Sequence, residues 1–248
     1  MNLEGKTALV TGGVSGIGRA TVMEFAKSGA AVICLDVNAE KGAELMRDAA
    51  ATNFVLEFDA VDLADVRAVR RCVLDILKRY PRIDILVNAA GWGDIQPFVE
   101  NQPDYMDRVI TVNLNGMLHL TQALLPAIIA SGHGKIINVA SDAGRVGSSG
   151  ETAYAAAKGG VIAFTKSLAR ELARHSVNVN CVCPGPTDTP MLASRPEKMK
   201  EALLRAIPFR RFAKPQEIAD AIVFFASPRS DYITGQVLSV SGGLTFAG

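Results

Sequence analysis

The chain has 248 residues, 49% of them hydrophobic, which is enough for one large core, and it balances 26 Lys plus Arg against 25 Asp plus Glu. A formal net charge of +1 gives no global field to draw nucleic acid or an anionic membrane surface. The four scattered cysteines form no framework of the secreted kind, and apolar stretches such as residues 118–130 are too short and interrupted to span a bilayer, so a reduced, cytoplasmic, non-membrane protein is expected.

Residues 6–11 form an apolar run that ends in glycines, and residues 19–28 have helical spacing that stops at Gly29. A second apolar run, 31–35, is closed by Asp36. A helix over 39–52, a strand over 54–58, a helix over 64–80 and a strand over 83–87 continue the alternation. It is extended by helix 114–130, strand 135–140, helix 154–174, strand 178–183, helix 215–226 and strand 236–240. Strand and helix taking turns implies right-handed crossovers, hence α/β architecture: a Rossmann-type doubly wound parallel sheet with helices on both faces. One domain over residues 1–248 is expected, with ligands beyond the carboxyl ends of the strands. Cys181 and Cys183, with His175 upstream, are not expected to hold a metal, because strand alternation is taken to keep the two sulfurs apart.

The first strand runs into Thr11-Gly12-Gly13-Val14-Ser15-Gly16-Ile17-Gly18. A strand, a glycine turn and a helix together present free backbone N–H groups and the positive helix end to a pyrophosphate. The spacing Gly-x3-Gly-x-Gly differs from the Gly-x-Gly-x2-Gly dinucleotide fingerprint, so the loop alone is weak support. Asp36 follows Gly18 by 18 residues, close to the ~20 at which a carboxylate meets the adenosine ribose. Its charge would repel a 2′-phosphate. Val37 and Asn38 bring no neutralising cation, Arg19 being the nearest basic residue of the loop region, and NAD is therefore expected over NADP.

Tyr154 and Lys158 stand at i and i+4, which on a helix puts their Cβ atoms roughly 5–6 Å apart. A phenol titrates near 10, and lowering it to ~7 takes about 4 kcal/mol of preferential stabilisation of the phenolate. The ammonium of Lys158 is the expected source.

Together these residues resemble the short-chain dehydrogenase/reductase family over essentially the whole chain. Its cofactor loop is matched at Gly12, Ser15, Gly16, Ile17 and Gly18, and its adenine contact at Asp62 and Leu63. Asn88-Ala89-Ala90-Gly91 is similar to the Asn-Asn-Ala-Gly motif with Ala in second place, keeping Asn88, Ala89 and Gly91 as cofactor positions. Pro184, Gly185, Thr187 and Thr189 fall on the motif that supports the nicotinamide. The resemblance implies a catalytic tetrad of Asn113, Ser141, Tyr154 and Lys158. In it Tyr154 is the general acid/base, Lys158 holds the nicotinamide ribose and keeps Tyr154 acidic, Ser141 binds the substrate oxygen, and Asn113 holds a proton-relay water. It further implies a homotetramer with four-helix contacts, for which the apolar helical faces 114–130 and 154–172 are suited.

Substrate selection is expected in residues 92–98, 142–152 and above all 191–214, with Trp92, Asp142, Arg145 and the basic cluster Arg210, Arg211 and Lys214 as candidate contacts. Three longer segments, 140–147, 180–190 and 236–245, are similar to 2-hydroxycyclohexanecarboxyl-CoA dehydrogenases. That likeness implies oxidation of a β-hydroxyacyl-CoA by NAD, with the basic cluster meeting the CoA phosphates. The alternatives within the family are a 3-oxoacyl thioester reductase or another secondary-alcohol dehydrogenase. From a different class comes a non-catalytic NAD-sensing scaffold.

Overall fold

The computed structural model describes residues 1–246. Seven strands carry the chain through a fully parallel sheet: β1 (Thr7–Thr11), β2 (Ala31–Asp36), β3 (Leu56–Ala60), β4 (Ile85–Asn88), β5 (Lys135–Val139), β6 (Asn178–Pro184) and β7 (Val237–Val240). Their spatial order is β3-β2-β1-β4-β5-β6-β7. The direction of winding reverses between β1 and β4, where Thr11 is in register with Asn88, and the two following turns part to leave a crevice.

The helices that return the chain are α1 (Gly16–Lys27), α2 (Ala39–Ala50), α3 (Val66–Arg79), α4 (Pro103–Ile110), α5 (Gly116–Ala130), α6 (Ala143–Val146), α7 (Thr152–Leu172), α8 (Pro190–Ala193), α9 (Glu197–Ala206) and α10 (Pro215–Ala226). Local chemistry starts several of them. Asn38 accepts from the Lys41 N–H, and Asp65 from those of Arg67 and Ala68, so each satisfies an otherwise orphaned first-turn donor. At α10, Pro215 takes the first position and the Glu217 carboxylate reaches back to the Lys214 N–H. A π-helical turn, Thr111–Asn115, joins α4 to α5.

Alternation along each strand divides the core in two. Val10, Val32, Val87, Ile137 and Val182 pack under α1 and α10 through Val22, Phe25, Ile218 and Ile222. Leu9, Ile33, Leu86, Ile136 and Val179 pack on the other face against Val73 and Ile76 of α3, Leu120 and Leu124 of α5, and Leu168 of α7. Among the described residues no helix is long and apolar enough to cross a membrane.

Candidate active site

At the carboxyl edge of the sheet a single cleft of about 800 Å³ runs from Asp36, Asp62 and Leu63 at one end, past Gly12, Ser15, Gly16, Ile17 and Gly18, to Ser141, Tyr154 and Lys158 at the other. Ala89, Gly91, Pro184, Gly185, Thr187 and Thr189 also line it.

The glycine turn is shaped by close approach. Gly12 has φ +67, and a Cβ there would stand 2.8 Å from the Ala90 Cα. A Cβ on Gly18 would overlap the Gly12 carbonyl oxygen. Thr11 Oγ1 accepts from the N–H groups of Ala89 and Ala90 at 3.0 and 3.1 Å, tying the turn after β1 to the turn after β4. The N-cap Ser15 makes no side-chain cap, and α1 has no acidic residue in its first turn, so its leading N–H groups face the cleft unscreened. Such a cradle, with a carboxylate at its far end, fits a dinucleotide. Asp36 accepts from Val14 N–H at 3.4 Å and from Asn38 N–H at 3.0 Å, which fixes its carboxylate at the end of β2.

At the opposite end Ser141 follows β5, and its Oγ accepts from the Ala143 N–H at 3.1 Å. Helix α7 brings Tyr154 and Lys158 to the same wall, with Lys158 Nζ 5.7 Å from the Tyr154 ring centroid. That ammonium is buried, with the residue 3% exposed, and donates to the Val139 carbonyl at 2.9 Å. Burial lowers Lys158 from 10.5 to about 8, against the smaller raising effect of Cys181 and Cys183. Burial also pushes the Tyr154 phenol above its ordinary range; Glu151 adds to this, while the Ser141 hydroxyl and the Arg195 charge oppose it. The expectation that Lys158 makes Tyr154 acidic is thus corrected. Both groups are desolvated together, and the ammonium lies over the ring and is turned toward a backbone carbonyl.

The comparisons agree with this geometry. Residues 12–245 match a family profile described as enoyl-(acyl carrier protein) reductase. A 3-oxoacyl-[acyl-carrier-protein] reductase, FabG, of Thermotoga maritima is 42% identical over 244 residues, covering 98% of this chain and 99% of that one. The BbsD subunit of (2S)-[(R)-hydroxy(phenyl)methyl]succinyl-CoA dehydrogenase of Thauera aromatica is 38% identical, with 100% of each chain covered. Among solved structures, a variant actinorhodin polyketide ketoreductase with NADPH superposes with a TM-score of 0.92 at 31% identity, over 96% of this chain and 97% of that one. The chain belongs to the short-chain dehydrogenase/reductase family. It is an oxidoreductase, and its family uses a nicotinamide cofactor.

Two motif positions of this short-chain dehydrogenase/reductase point away from the cleft. Asn88 Nδ2 donates to Thr121 Oγ1 at 3.1 Å and to Asn138 Oδ1 at 2.9 Å, so its side chain serves the interior, since β4 directs it inward. Asn113 lies in the π turn, where Nδ2 donates to the carbonyls of Trp92 and Val109 at 2.6 and 2.8 Å and Oδ1 accepts from Trp92 N–H at 3.1 Å. Its side-chain amide is spent on backbone, so a water held at this residue would be held through its main chain. The π turn itself is what turns Asn113 toward the loop after β4.

Substrate candidates divide similarly. Trp92 lines the cleft, stacked at 5.0 Å under the Arg108 guanidinium. Asp142 also borders it, yet its carboxylate is committed to Ser239 at 2.9 Å, Thr245 at 2.7 Å and Arg145 at 3.1 Å. Arg145 further donates to the Phe246 carbonyl and stays out of the cleft lining, so it fastens residues 245–246 instead. The basic cluster is likewise corrected, because none of its members lines the cleft. Arg211 forks onto Glu217 with both contacts at 2.6 Å, Arg210 donates to the Arg205 carbonyl, and the Lys214 backbone N–H donates to Glu217 at 2.8 Å. Ion pairing with Glu217 holds Arg211, and a backbone carbonyl holds Arg210, where they stand.

Cys181 and Cys183 also overturn an expectation, with sulfurs 3.9 Å apart. Residues two apart on a strand share a face, so alternation brings them together. No cluster of three or more His, Cys, Asp or Glu suited to a metal occurs among the described residues. Arg108, Glu151 and Arg195 line the cleft without having been singled out as contacts. Arg195 lies in an irregular stretch, and nothing in the local pattern announces a buried guanidinium there.

Proposed function

We propose that this protein is an NAD-dependent dehydrogenase of β-hydroxyacyl thioesters, with Asn113, Ser141, Tyr154 and Lys158 as its working set and 2-hydroxycyclohexanecarboxyl-CoA as a first compound to try. The carrying observation is one cleft that has an unneutralised carboxylate, Asp36, at its adenosine end and Tyr154 with Ser141 at its other end. Arg19, the cation nearest to the loop, is taken up by Asp48 at 2.7 Å and does not line the cleft, which supports NAD over NADP.

The bound nicotinamide supplies the hydride acceptor. Gly12, Gly16, Gly18 and the start of α1 hold the pyrophosphate, Asp36 the adenosine ribose, and Lys158 the nicotinamide ribose. Ser141 Oγ hydrogen-bonds the substrate oxygen and stabilises charge that builds there. Tyr154 Oη takes the alcohol proton, or returns it to the ketone in reduction. The phenol is in its protonated, donor form at neutral pH, and burial raises its pKa further, so alcohol oxidation should quicken as pH rises. Asn113 sets the loop that carries Trp92.

The segment 191–214 supplies the substrate wall through Met191, Leu192, Arg195, Met199 and Leu203. The CoA arm is expected to leave by this mouth without using the basic cluster, which lies outside the cleft lining. A 3-oxoacyl thioester reductase is the second reading, favoured by the Thermotoga relative and the NADPH of the structural neighbour. Assembly as a homotetramer belongs to the same proposal.

Initial rates with NAD and NADP on a panel of hydroxyacyl-CoA and hydroxyacyl carrier-protein thioesters separate these readings. NAD should win by at least about tenfold, and Tyr154→Phe should lose at least about 10²-fold in turnover while still binding cofactor. Preference for NADPH would move the assignment to the reductase. Full turnover by Tyr154→Phe would end both.

A further inference from the structure

Arg195 lies between α8 and α9 with its side chain only 8% exposed, although it borders the open cleft. Its fork makes three contacts on two separate parts of the fold. Nη2 donates to the Gly93 carbonyl at 3.2 Å, Nη1 stands 3.8 Å from the Asp94 carboxylate, and Nη2 stands 3.8 Å from Glu151. Gly93 and Asp94 belong to the loop after β4, and a Cβ on Gly93 would come within 3.3 Å of the Tyr154 ring. Glu151 is the N-cap of α7, the helix that carries Tyr154 and Lys158, and its side chain is 19% exposed against 67% for Asp94.

We propose that Arg195 is a positioning residue: its guanidinium clasps the α8 wall to the loop after β4 and to the start of α7, and it neutralises Glu151 beside Tyr154. A long aliphatic stem ending in a flat five-donor fork is the side chain suited to join three elements at one point. Glu151 and Arg195 act on the Tyr154 phenol in opposite directions, the carboxylate raising and the guanidinium lowering its affinity balance for a proton. The remaining charged or titratable groups around that phenol are Lys158 on the same helix, Cys181 and Cys183 on β6, Asp94 on the loop and Arg108 on α4. Lys158 faces Val139, the two thiols contact each other at 3.9 Å, Asp94 is largely in water, and Arg108 is stacked on Trp92. The Glu151 and Arg195 pair is therefore the adjustable element.

The pH part of this inference rests on Tyr154 being the acid/base of the proposed reaction, whereas the clasp does not. Two measurements separate them. In the cofactor-free protein, Arg195→Met should speed amide hydrogen exchange in residues 190–206 and 93–96 at least about tenfold, and Arg195→Lys by less. Unchanged exchange there overturns the clasp, whatever the substrate proves to be.

In turnover, the rising limb of the pH profile for alcohol oxidation should move up by about half a pH unit or more in Arg195→Met and down in Glu151→Gln. Loss of the clasp should also raise the KM of Arg195→Met several-fold, and the double variant should regain the original limb while keeping that raised KM, because neutralisation is restored but the clasp is not. A limb that does not move, or a double variant that keeps the shift, overturns the coupling. A KM effect confined to carboxylate-bearing substrates, with no limb shift, would make Arg195 a substrate contact instead. If the unaltered protein oxidises none of the panel, the functional reading has failed and hydrogen exchange alone decides the clasp.

Discussion

Lys158 shows how burial governs the chemistry of a single side chain. Its pKa is lowered from 10.5 to about 8 because the ammonium is taken out of water with the Val139 carbonyl as its hydrogen-bond partner. Between those two pH values the folded protein holds a neutral amine while the unfolded chain is still protonated. The unfolded state then binds more protons, so stability rises with pH across that window. Below it both states are charged and the penalty is constant; above it both are neutral. The whole gain is on the order of 3 kcal/mol at about 1.4 kcal/mol per pH unit. Urea unfolding of the cofactor-free protein and of Lys158→Met, at several pH values from about 7 to about 10, isolates this contribution. The difference between the two should grow in favour of the unaltered protein as pH rises. A flat difference would show an amine that ionises as it does in water. Cys34 and Tyr80, whose groups burial raises, are common to both proteins and cancel.

Among the elements, the strand-to-helix turn at β1 and α1 is the least tolerant of change. Gly18 lies in the first turn of α1, and a methyl group there would run into the Gly12 carbonyl oxygen. Backbone on both sides leaves no flexible side chain to give way. Gly18→Ala should therefore lose NAD binding, read by quenching of intrinsic fluorescence on titration, by more than about tenfold. Gly159→Ala is the matched control, since a Cβ there meets only the Gly144 carbonyl at 3.4 Å. Equal binding by both would mean the turn shifts easily. The turn was legible from sequence because its glycines punctuate an apolar run. So was Pro215–Ala226, placed to the residue by proline at its first position and glutamate at its third. The strand expected over 54–58 is Leu56–Ala60, since pairing of Val32 with Leu56 through Asp36 with Ala60 sets the register and local apolarity does not. The π turn Thr111–Asn115 has no signature in sequence because its residues continue a helical pattern, and it is this turn that aims the Asn113 side chain at the loop after β4.

At the level of the whole molecule, alternation of strand and helix carried the topology, while charges could not be placed from sequence. Arg210 and Arg211 read as ligand-binding because a cluster of cations is visible in one dimension and the Glu217 that pairs with Arg211 is not visibly its partner. Arg195, one isolated cation, reads as nothing, yet it is the buried one. A similar asymmetry holds for assembly. Helices α5 and α7 present a groove of about 330 Å³ to the outside, lined by Leu118, His119, Leu125, Phe164 and Leu168, while the opposite sides of both helices already cover the sheet. A symmetric partner laid over α5 and α7 would meet the same groove on the other copy, so one substitution is repeated across the interface. Phe164→Glu would then face its own carboxylate or bury it against apolar side chains, either of which is unfavourable. Light scattering at micromolar concentration should give a tetramer for the unaltered protein and a smaller species for Phe164→Glu, with Phe164→Ala closer to the former. Circular dichroism and an unchanged unfolding midpoint at low concentration guard against simple loss of fold. A monomeric unaltered protein, or a Phe164→Glu variant of undiminished mass, would remove α5 and α7 as the site of association.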